Sequence, residues 1–246
     1  MVYMPPKKQA EMDVSVVIPT LNEEKNIVKC LEALRNQEFE GNYELIVADG
    51  NSEDKTRELA EKLADKVIIE KRRSIAFERN AGAQHARGKI IVFTDADSVA
   101  PRNWISSIHR IFQDDPGLSL VYGPVFFSDT SKEEQWVSSF FMPKFMKMMD
   151  VLSMHNPIGS NMAIRREVYE KIGGFDTQYV TCEDLDLGKR AIKHGKLKYV
   201  KHMHTLVSAR RVKKWGYARY VGFHLFNGVR YHLTGKASRR YEDVRE

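Results

Sequence analysis

Ile90-Ile91-Val92-Phe93-Thr94-Asp95-Ala96-Asp97-Ser98 joins a short apolar run to two carboxylates one residue apart. A continuous apolar run of this length reads as a strand buried on both faces, as strands of parallel sheets are. Both acids then emerge at its C-terminal end, where open α/β sheets bind their ligands. Two hard oxygen donors at that place suit Mg²⁺ or Mn²⁺, and such an ion would neutralise a diphosphate. An Asp-x-Asp after a strand occurs in several enzyme classes, and the same residues cap helices or start turns. Its neighbours in the sheet have to decide.

Towards the N-terminus, strands and helices alternate. Val14-Ser15-Val16-Val17-Ile18 is strand-like, and Asn22 is placed to cap a helix with Ile27, Cys30, Leu31 and Leu34 on its apolar face. Tyr43 to Ala48 reads as a second strand, Val67-Ile68-Ile69 as a third and Ile90 to Phe93 as the fourth. Helices with Leu59, Ala60 and Leu63 inward, and from Ile75 to Ala86, lie between them. Strict alternation predicts an α/β, doubly wound, mostly parallel sheet flanked by helices. Beyond Asp97, a helix from about Asn103 to Phe112 leads to a strand from Ser119 to Tyr122, ended by Gly123-Pro124. Trp136, Phe140, Phe141, Phe145, Met148, Met149 and Leu152 then follow at roughly helical spacing, kinked at Pro143. The five methionines from Met142 to Met154 make either ordinary core or a soft surface for a variable or lipidic partner.

The 246 residues, 42% hydrophobic and 29% charged, suit one globular domain, 1–246. No apolar run approaches the roughly 20 residues that cross a bilayer, and Met1 to Met12 lacks the apolar core of a secretory signal. A cytoplasmic protein is expected, peripheral at most on the inner face of the membrane. Cys30 and Cys182, the two cysteines, are too few for a disulfide framework or a thiolate zinc site. The net charge of +6 is concentrated at the C-terminus: residues 210–240 hold nine Lys or Arg and no acid, while residues 1–209 carry a net −1. With Trp215, Tyr217, Tyr220, Phe223, Phe226 and Tyr231, the 212–246 segment reads as a basic, amphipathic tail. It fits an anionic membrane surface, an anionic lipid carrier, a nucleic acid, or a solvated face packed on the core.

Parallel strands bring three polar loops to one rim: Pro19-Thr20-Leu21-Asn22-Glu23 after strand 1, Asp49-Gly50-Asn51-Ser52 after strand 2, and the Asp95/Asp97 pair after strand 4. Glu23 and Asp49 are acceptor-only carboxylates suited to a nucleobase N–H or ribose hydroxyls. Caps and turns use the same residue types. Arg79, on the helix leading into strand 4, is placed to clamp a diphosphate bidentately. Farther on, Glu183 and Asp184 open a helix carrying Leu185, Leu187, Ala191 and Ile192, where acids favour the helix dipole and stay ionised. An ionised carboxylate is also what deprotonating an acceptor hydroxyl requires.

The ordered set Pro19-Thr20-Leu21-Asn22-Glu23, Asp49-Gly50-Asn51-Ser52, Arg79-Asn80-Ala81-Gly82, Asp95-Ala96-Asp97, Gly173-Gly174-Phe175-Asp176 and Glu183-Asp184-Leu185-Asp186-Leu187 resembles the family 2 glycosyltransferases, over residues 13 to about 211. The resemblance implies a GT-A fold with a nucleotide-binding half (13–100) and an acceptor half (101–211), and an inverting, metal-dependent transfer from a nucleotide-diphosphate sugar. It implies that Pro19, Thr20, Asn22, Glu23, Asp49 and Asn51 hold the nucleoside and Arg79 the base or phosphates. Asp95, Ala96 and Asp97 would serve the ribose and the metal-bound diphosphate, and Arg210 and Arg211 would close over it. Asp97, Asp95 and, as a histidine does in some GT-A enzymes, His204 would hold Mn²⁺ or Mg²⁺; His202 could complete the metal shell as well, and either histidine also reads as a surface or core residue. Asp184 would be the general base with Glu183 beside it, and Gly159, Ser160 and Asn161 would line the acceptor side.

The donor motifs do not separate UDP from GDP; a UDP-sugar is favoured, with a GDP-sugar next. A lipid-linked acceptor, hydroxyl or phosphate, is the first choice from the methionines and the basic tail, and a saccharide the second. Nucleic acid is not expected as a partner. Three rivals fit less well. A haloacid-dehalogenase-type phosphatase would carry its Asp-x-Asp near the N-terminus, and a nucleotidyltransferase a Gly-rich loop with a basic residue after strand 1. A non-catalytic membrane- or nucleic-acid-binding protein would use the tail alone.

Overall fold

A computed structural model describes residues 11–130, 140, 143–144, 146–151 and 154–242. Three β–α steps and a fourth strand open the described chain: β1 (Val14–Thr20), α1 (Ile27–Arg35), β2 (Tyr43–Asp49), α2 (Thr56–Glu61), β3 (Lys66–Ile69), α3 (Ile75–Gln84) and β4 (Ile90–Thr94). β1 pairs in parallel with β2 and β4, and β2 with β3, so the C-terminal ends of β1, β2 and β4 share one rim. Both faces of these strands are covered, which is why they read as runs of Val, Ile and Leu rather than as alternation. α3 lies close against β1 because Gly82 has no side chain: a Cβ there would stand 2.5 Å from Val17 Cγ1.

The second half departs from strict alternation. β5 (Ser98–Val99), α4 (Trp104–Asp114), β6 (Leu118–Tyr122), β7 (Val125–Phe127), β8 (Asn161–Arg165), α5 (Arg166–Lys171), α6 (Glu183–Ala191), β9 (Lys196–Tyr199), β10 (Thr205–Val207), α7 (Arg210–Trp215) and α8 (Tyr217–Thr234) follow. The main sheet runs β3-β2-β1-β4-β8-β6-β9, and β8 is antiparallel to both of its neighbours. A small sheet, β5-β10-β7, stands apart from it. One apolar cluster extends from Val14 through Trp104 to Val200 and Met203, so the two halves share core.

Two local expectations are corrected. Asn22 does not cap α1, which starts at Ile27 without a side-chain cap. Asn22 is left-handed (φ 51°), its amide donates to Ser52 Oγ at 2.9 Å, and its Oδ1 accepts the Glu53 amide at 2.9 Å, so it ties the β1 loop to the β2 loop. Asn161, expected to line the acceptor side, is the first residue of β8 and fully buried. Its Oδ1 accepts from Trp104 Nε1 (3.0 Å), and its Nδ2 donates to the carbonyls of Pro124 (2.8 Å) and Met203 (2.6 Å). Every polar atom of that side chain is committed to the sheet interior, which leaves none for an acceptor.

Of the expected long amphipathic stretch, Trp136, Phe141, Phe145 and Leu152 lie outside the described residues. Within it, Met146 and Met149 are buried, whereas Met148 and Val151 are exposed. Both cysteines are free.

Candidate active site at the strand rim

Asp49 ends β2 fully buried, and its carboxylate accepts the backbone and hydroxyl hydrogens of Ser52. Gly50 donates its amide to the Thr20 carbonyl at 2.7 Å, so the loops after β1 and β2 are held as one wall. Pro19 pairs with Ala48 in the strand register behind it, and Asn51, left-handed at φ 64°, is exposed on the outer side. Sequence reasoning passed over Glu78 here. It is buried on α3, and its carboxylate stands 2.5 Å from where a Gly50 Cβ would be, so glycine is what lets the loop pass.

Asp95 and Asp97 follow β4, with Ala96 between them packed into the core. Asp97 is 12% exposed and is contacted by Arg210 at 3.1 Å. The same guanidinium donates to both carboxylate oxygens of Glu23, at 3.0 Å to Oε2. The aim of Arg210 depends on Asp129, which accepts the Ala209 amide at 2.6 Å and an ion pair from Lys213 at 2.6 Å, anchoring the start of α7. Arg211 has other partners. Its guanidinium lies 3.8 Å over the Tyr241 ring and 5.3 Å from that of Trp215, so it is engaged by aromatic rings rather than by the rim carboxylates that hold Arg210.

Arg79 joins the two halves of the site. It is 2% exposed, donating to Glu183 Oε1 at 2.7 Å and to Asp95 Oδ1 at 3.1 Å, with Phe175 below it at 5.4 Å. The expected diphosphate clamp is therefore a bridge: its guanidinium is spent on two carboxylates and is shut off from solvent. Asn80 secures the platform by bonding both the amide and the carbonyl of Phe175, each at 2.9 Å. The Arg79-Asn80 and Gly174-Phe175 motifs are thus one construction. Gly159 closes against it, since a Cβ there would stand 2.3 Å from Arg79 Nη2. The Gly159 amide donates to Asp184 Oδ2 at 2.9 Å while the Leu185 amide donates to Oδ1 at 2.9 Å, which fixes the carboxylate's direction. Ser160, next to Gly159, is buried.

Charge is unbalanced along this rim. Among the described residues, Arg79 and Arg210 are the ion-pair partners of Glu23, Asp95, Asp97 and Glu183, with Asp184 also acting on Arg79. Burial pushes Asp97 up to about 7, with Asp95 and Glu23 adding to the rise and Arg210 opposing it. Burial and the neighbouring Asp184 push Glu183 up to about 7 against the pull of Arg79. Asp184 is also raised, by burial, and its backbone hydrogen bonds work the other way. An excess of buried carboxylate is relieved by a cation, and hard oxygens select Mg²⁺ or Mn²⁺. Among the described residues no three His, Cys, Asp or Glu side chains form a metal cage on their own. His204 stands just before β10, with its ring 5.6 Å from that of Phe126. An ion at Asp95 and Asp97 would need oxygens from a ligand, which is how such ions sit on diphosphates.

Comparison with known proteins agrees with this geometry. The sequence model described as Glycosyl transferase family 2 matches residues 15–173. Glycosyltransferase AglE of Haloferax volcanii is 30% identical over 193 residues, covering 74% of this chain and 62% of that protein. A Methanococcus voltae protein named Dolichyl N-acetyl-alpha-D-glucosaminyl phosphate 3-beta-D-2,3-diacetamido-2,3-dideoxy-beta-D-glucuronosyltransferase is 29% identical over 207 residues, with the same coverage of 74% and 62%. The chain thus spans about three-fifths of the length of these relatives. Mannosyltransferase PcManGT from Pyrobaculum calidifontis, solved with GDP-Man and Mn²⁺, superposes with a TM-score of 0.67 at 24% identity, over 94% of this chain and 70% of that one. The expected GT-A fold is therefore the observed one, and the chain belongs to glycosyl transferase family 2.

Proposed function

We propose that this protein transfers a sugar from a nucleoside-diphosphate donor to a hydroxyl or phosphate of a lipid-linked acceptor, with inversion at the anomeric carbon. A soluble saccharide is the second acceptor class. The observation that carries the reading is the Asp95–Arg79–Glu183 bridge. It fixes the carboxylates suited to a metal-bound diphosphate and those suited to proton abstraction on one buried guanidinium. Glu23, Asp49 and the loops around them would receive the nucleoside, and a UDP-sugar or GDP-sugar fits their acceptor character equally. Asp95 and Asp97 would hold Mn²⁺ or Mg²⁺, which supplies positive charge to the diphosphate leaving group.

The chain's own residues do the rest. Asp184, held by the Gly159 and Leu185 amides, presents an oxygen to the acceptor hydroxyl and takes its proton as that oxygen attacks the sugar from the face opposite the diphosphate. Burial raises the Asp184 carboxyl above the ordinary range, in the direction that strengthens it as a base. Arg210 is poised to leave Glu23 and Asp97 for the diphosphate once donor and ion bring their own charges. The name of the Methanococcus voltae relative, which specifies a dolichyl phosphate, supports a lipid phosphate carrier. We place the reaction at the cytoplasmic surface of a membrane, supported by the basic C-terminal segment. A panel of UDP- and GDP-sugars, with and without a polyprenyl-phosphate acceptor and divalent ion, tests this by nucleotide release. Release with one donor, stimulated by the acceptor, is expected; no release with any pair would refute it.

A further inference from the structure

α8 buries one side and shows the other. Its inner side meets the start of α6: Asn227 Nδ2 donates to Thr181 Oγ1 at 3.0 Å, and Tyr231 Oη donates to Asp186 Oδ1 at 3.0 Å. Its outer side repeats every fourth residue as Val221, Leu225, Val229 and Leu233, with Phe226 alongside, all exposed. Phe226 is 69% and Leu233 77% exposed, far beyond what scattered surface apolars explain, because here they line a single face. Arg230 is exposed on the same helix and Lys236, Arg239 and Arg240 after it; Arg219 and Lys214, also exposed, share Glu242 at 3.8 and 3.4 Å, and Lys213 pairs with Asp129. No acid interrupts residues 210–240. No helix among the described residues is long and apolar enough to cross a membrane.

We propose that this outer face of α8 docks into the surface of an anionic lipid bilayer, the helix lying in the interface plane with Phe226 and Leu233 inserted among the acyl chains. Apolar insertion flanked by Lys and Arg is the composition of in-plane interfacial helices. Charge decides the occupant. A second copy meeting this one through the same face would set Arg219 and Arg230 near their own duplicates, which like charge opposes. Anionic headgroups satisfy them, at about 1 kcal/mol per cation near the surface. The exposed Met148 and Val151 belong to the segment that reaches α8 at Asn156, where its Oδ1 meets His232 Nε2 at 3.1 Å. The consequence for catalysis rests on the lipid-linked acceptor proposed above. The helix that touches the bilayer also clamps the turn carrying Glu183 and Asp184, so the acceptor's head would emerge beside the base.

The test is sedimentation of the full chain with vesicles of phosphatidylglycerol and phosphatidylcholine, against phosphatidylcholine alone, at about 50 mM and about 500 mM salt. Binding to the anionic vesicles at low salt is expected, weakened at least about tenfold by Phe226→Glu with Leu233→Glu, by Arg219→Gln with Arg230→Gln, and by high salt. Equal binding to both vesicle types, no binding at all, or unchanged binding by the variants would overturn the proposal. So would a concentration-dependent dimer that Phe226→Glu with Leu233→Glu abolishes, since that assigns the face to a second copy. Circular dichroism of each variant checks its fold. Because sedimentation needs neither donor nor turnover, failure of the transferase reading leaves this result standing.

Discussion

Arg79 and Glu183 lie 104 positions apart and meet as a buried ion pair of 2.7 Å, with Asp95 on the same guanidinium at 3.1 Å. A pair of this kind contributes little net stability, because desolvation offsets its attraction, but breaking it leaves carboxylates buried without a cation. Its value is positional: it locks α3, the end of β4 and the start of α6 into one relative arrangement.

Arg79→Met is therefore expected to cost about 3–5 kcal/mol in urea unfolding and to abolish transfer. Arg79→Lys should recover part of the stability and little of the activity, since one ammonium cannot replace a planar fork that reaches two partners. A loss below about 1 kcal/mol for Arg79→Met would contradict the bridge.

Gly159→Ala offers a sharper probe of the same bridge. The new Cβ would fall on the Arg79 guanidinium, so the side chain must shift off Glu183. Destabilisation of about 1–3 kcal/mol with a far larger relative loss of kcat is expected. Full activity in this variant would show that the Arg79–Glu183 contact is dispensable.

The pH behaviour follows from Glu183, pushed up to about 7, and from Asp184 beside it, raised by burial. Glu183 and Asp184 titrate as a pair, and base function needs the pair deprotonated. The acid limb of kcat/KM is thus expected near pH 7, well above ordinary carboxylates. Stability runs in the opposite sense. A carboxyl whose folded pKa is raised favours the fold most below its unfolded value, about 3.8 for Asp97, and loses that contribution as pH rises through about 7. Asp97→Asn should accordingly raise the melting temperature of the ligand-free protein more at pH 8 than at pH 5, while weakening donor binding. The reverse ordering in calorimetry would refute the burial effect on Asp97.

Metal removal separates the cation's place from the base. Chelator is expected to abolish nucleotide release and Mn²⁺ or Mg²⁺ to restore it, with Asp97→Ala weakening donor affinity and His204→Ala leaving it unchanged. Undiminished activity in excess chelator would contradict the reading of Asp95 and Asp97.

The N-terminal half was legible because its strands β1, β2 and β4 are buried on both faces. Runs such as Val14 to Ile18 and Ile90 to Phe93 announce themselves without tertiary information. β8 was not legible: Asn161 begins it, Gly159-Ser160 precedes it, and its antiparallel insertion between β4 and β6 depends on partners far away in sequence. β5, β7 and β10 are two or three residues long and carry no periodicity to read. In the site, the types of residue were visible but their partners were not. Arg79 reads as an anion clamp until Glu183 is seen beside it, and Arg211 as a twin of Arg210 until the one is seen on Tyr241 and the other on Glu23 and Asp97. Asp129, which aims Arg210, and Glu78, behind Gly50, had no motif to mark them.

Asp184→Asn is the measurement that bears most directly on the account. The substitution keeps the shape of the carboxylate and the oxygen that accepts one of its two backbone amides, gives up the other hydrogen bond because an NH2 group only donates, and removes the capacity to take a proton. With Mn²⁺ and the best donor of the panel, calorimetric donor affinity is expected to stay within a few-fold while kcat for transfer falls by roughly 10² to 10⁴. Near-normal transfer by the variant, with the donor bound as before, would show that Asp184 is not the base and that the Asp95–Arg79–Glu183 bridge serves some other chemistry.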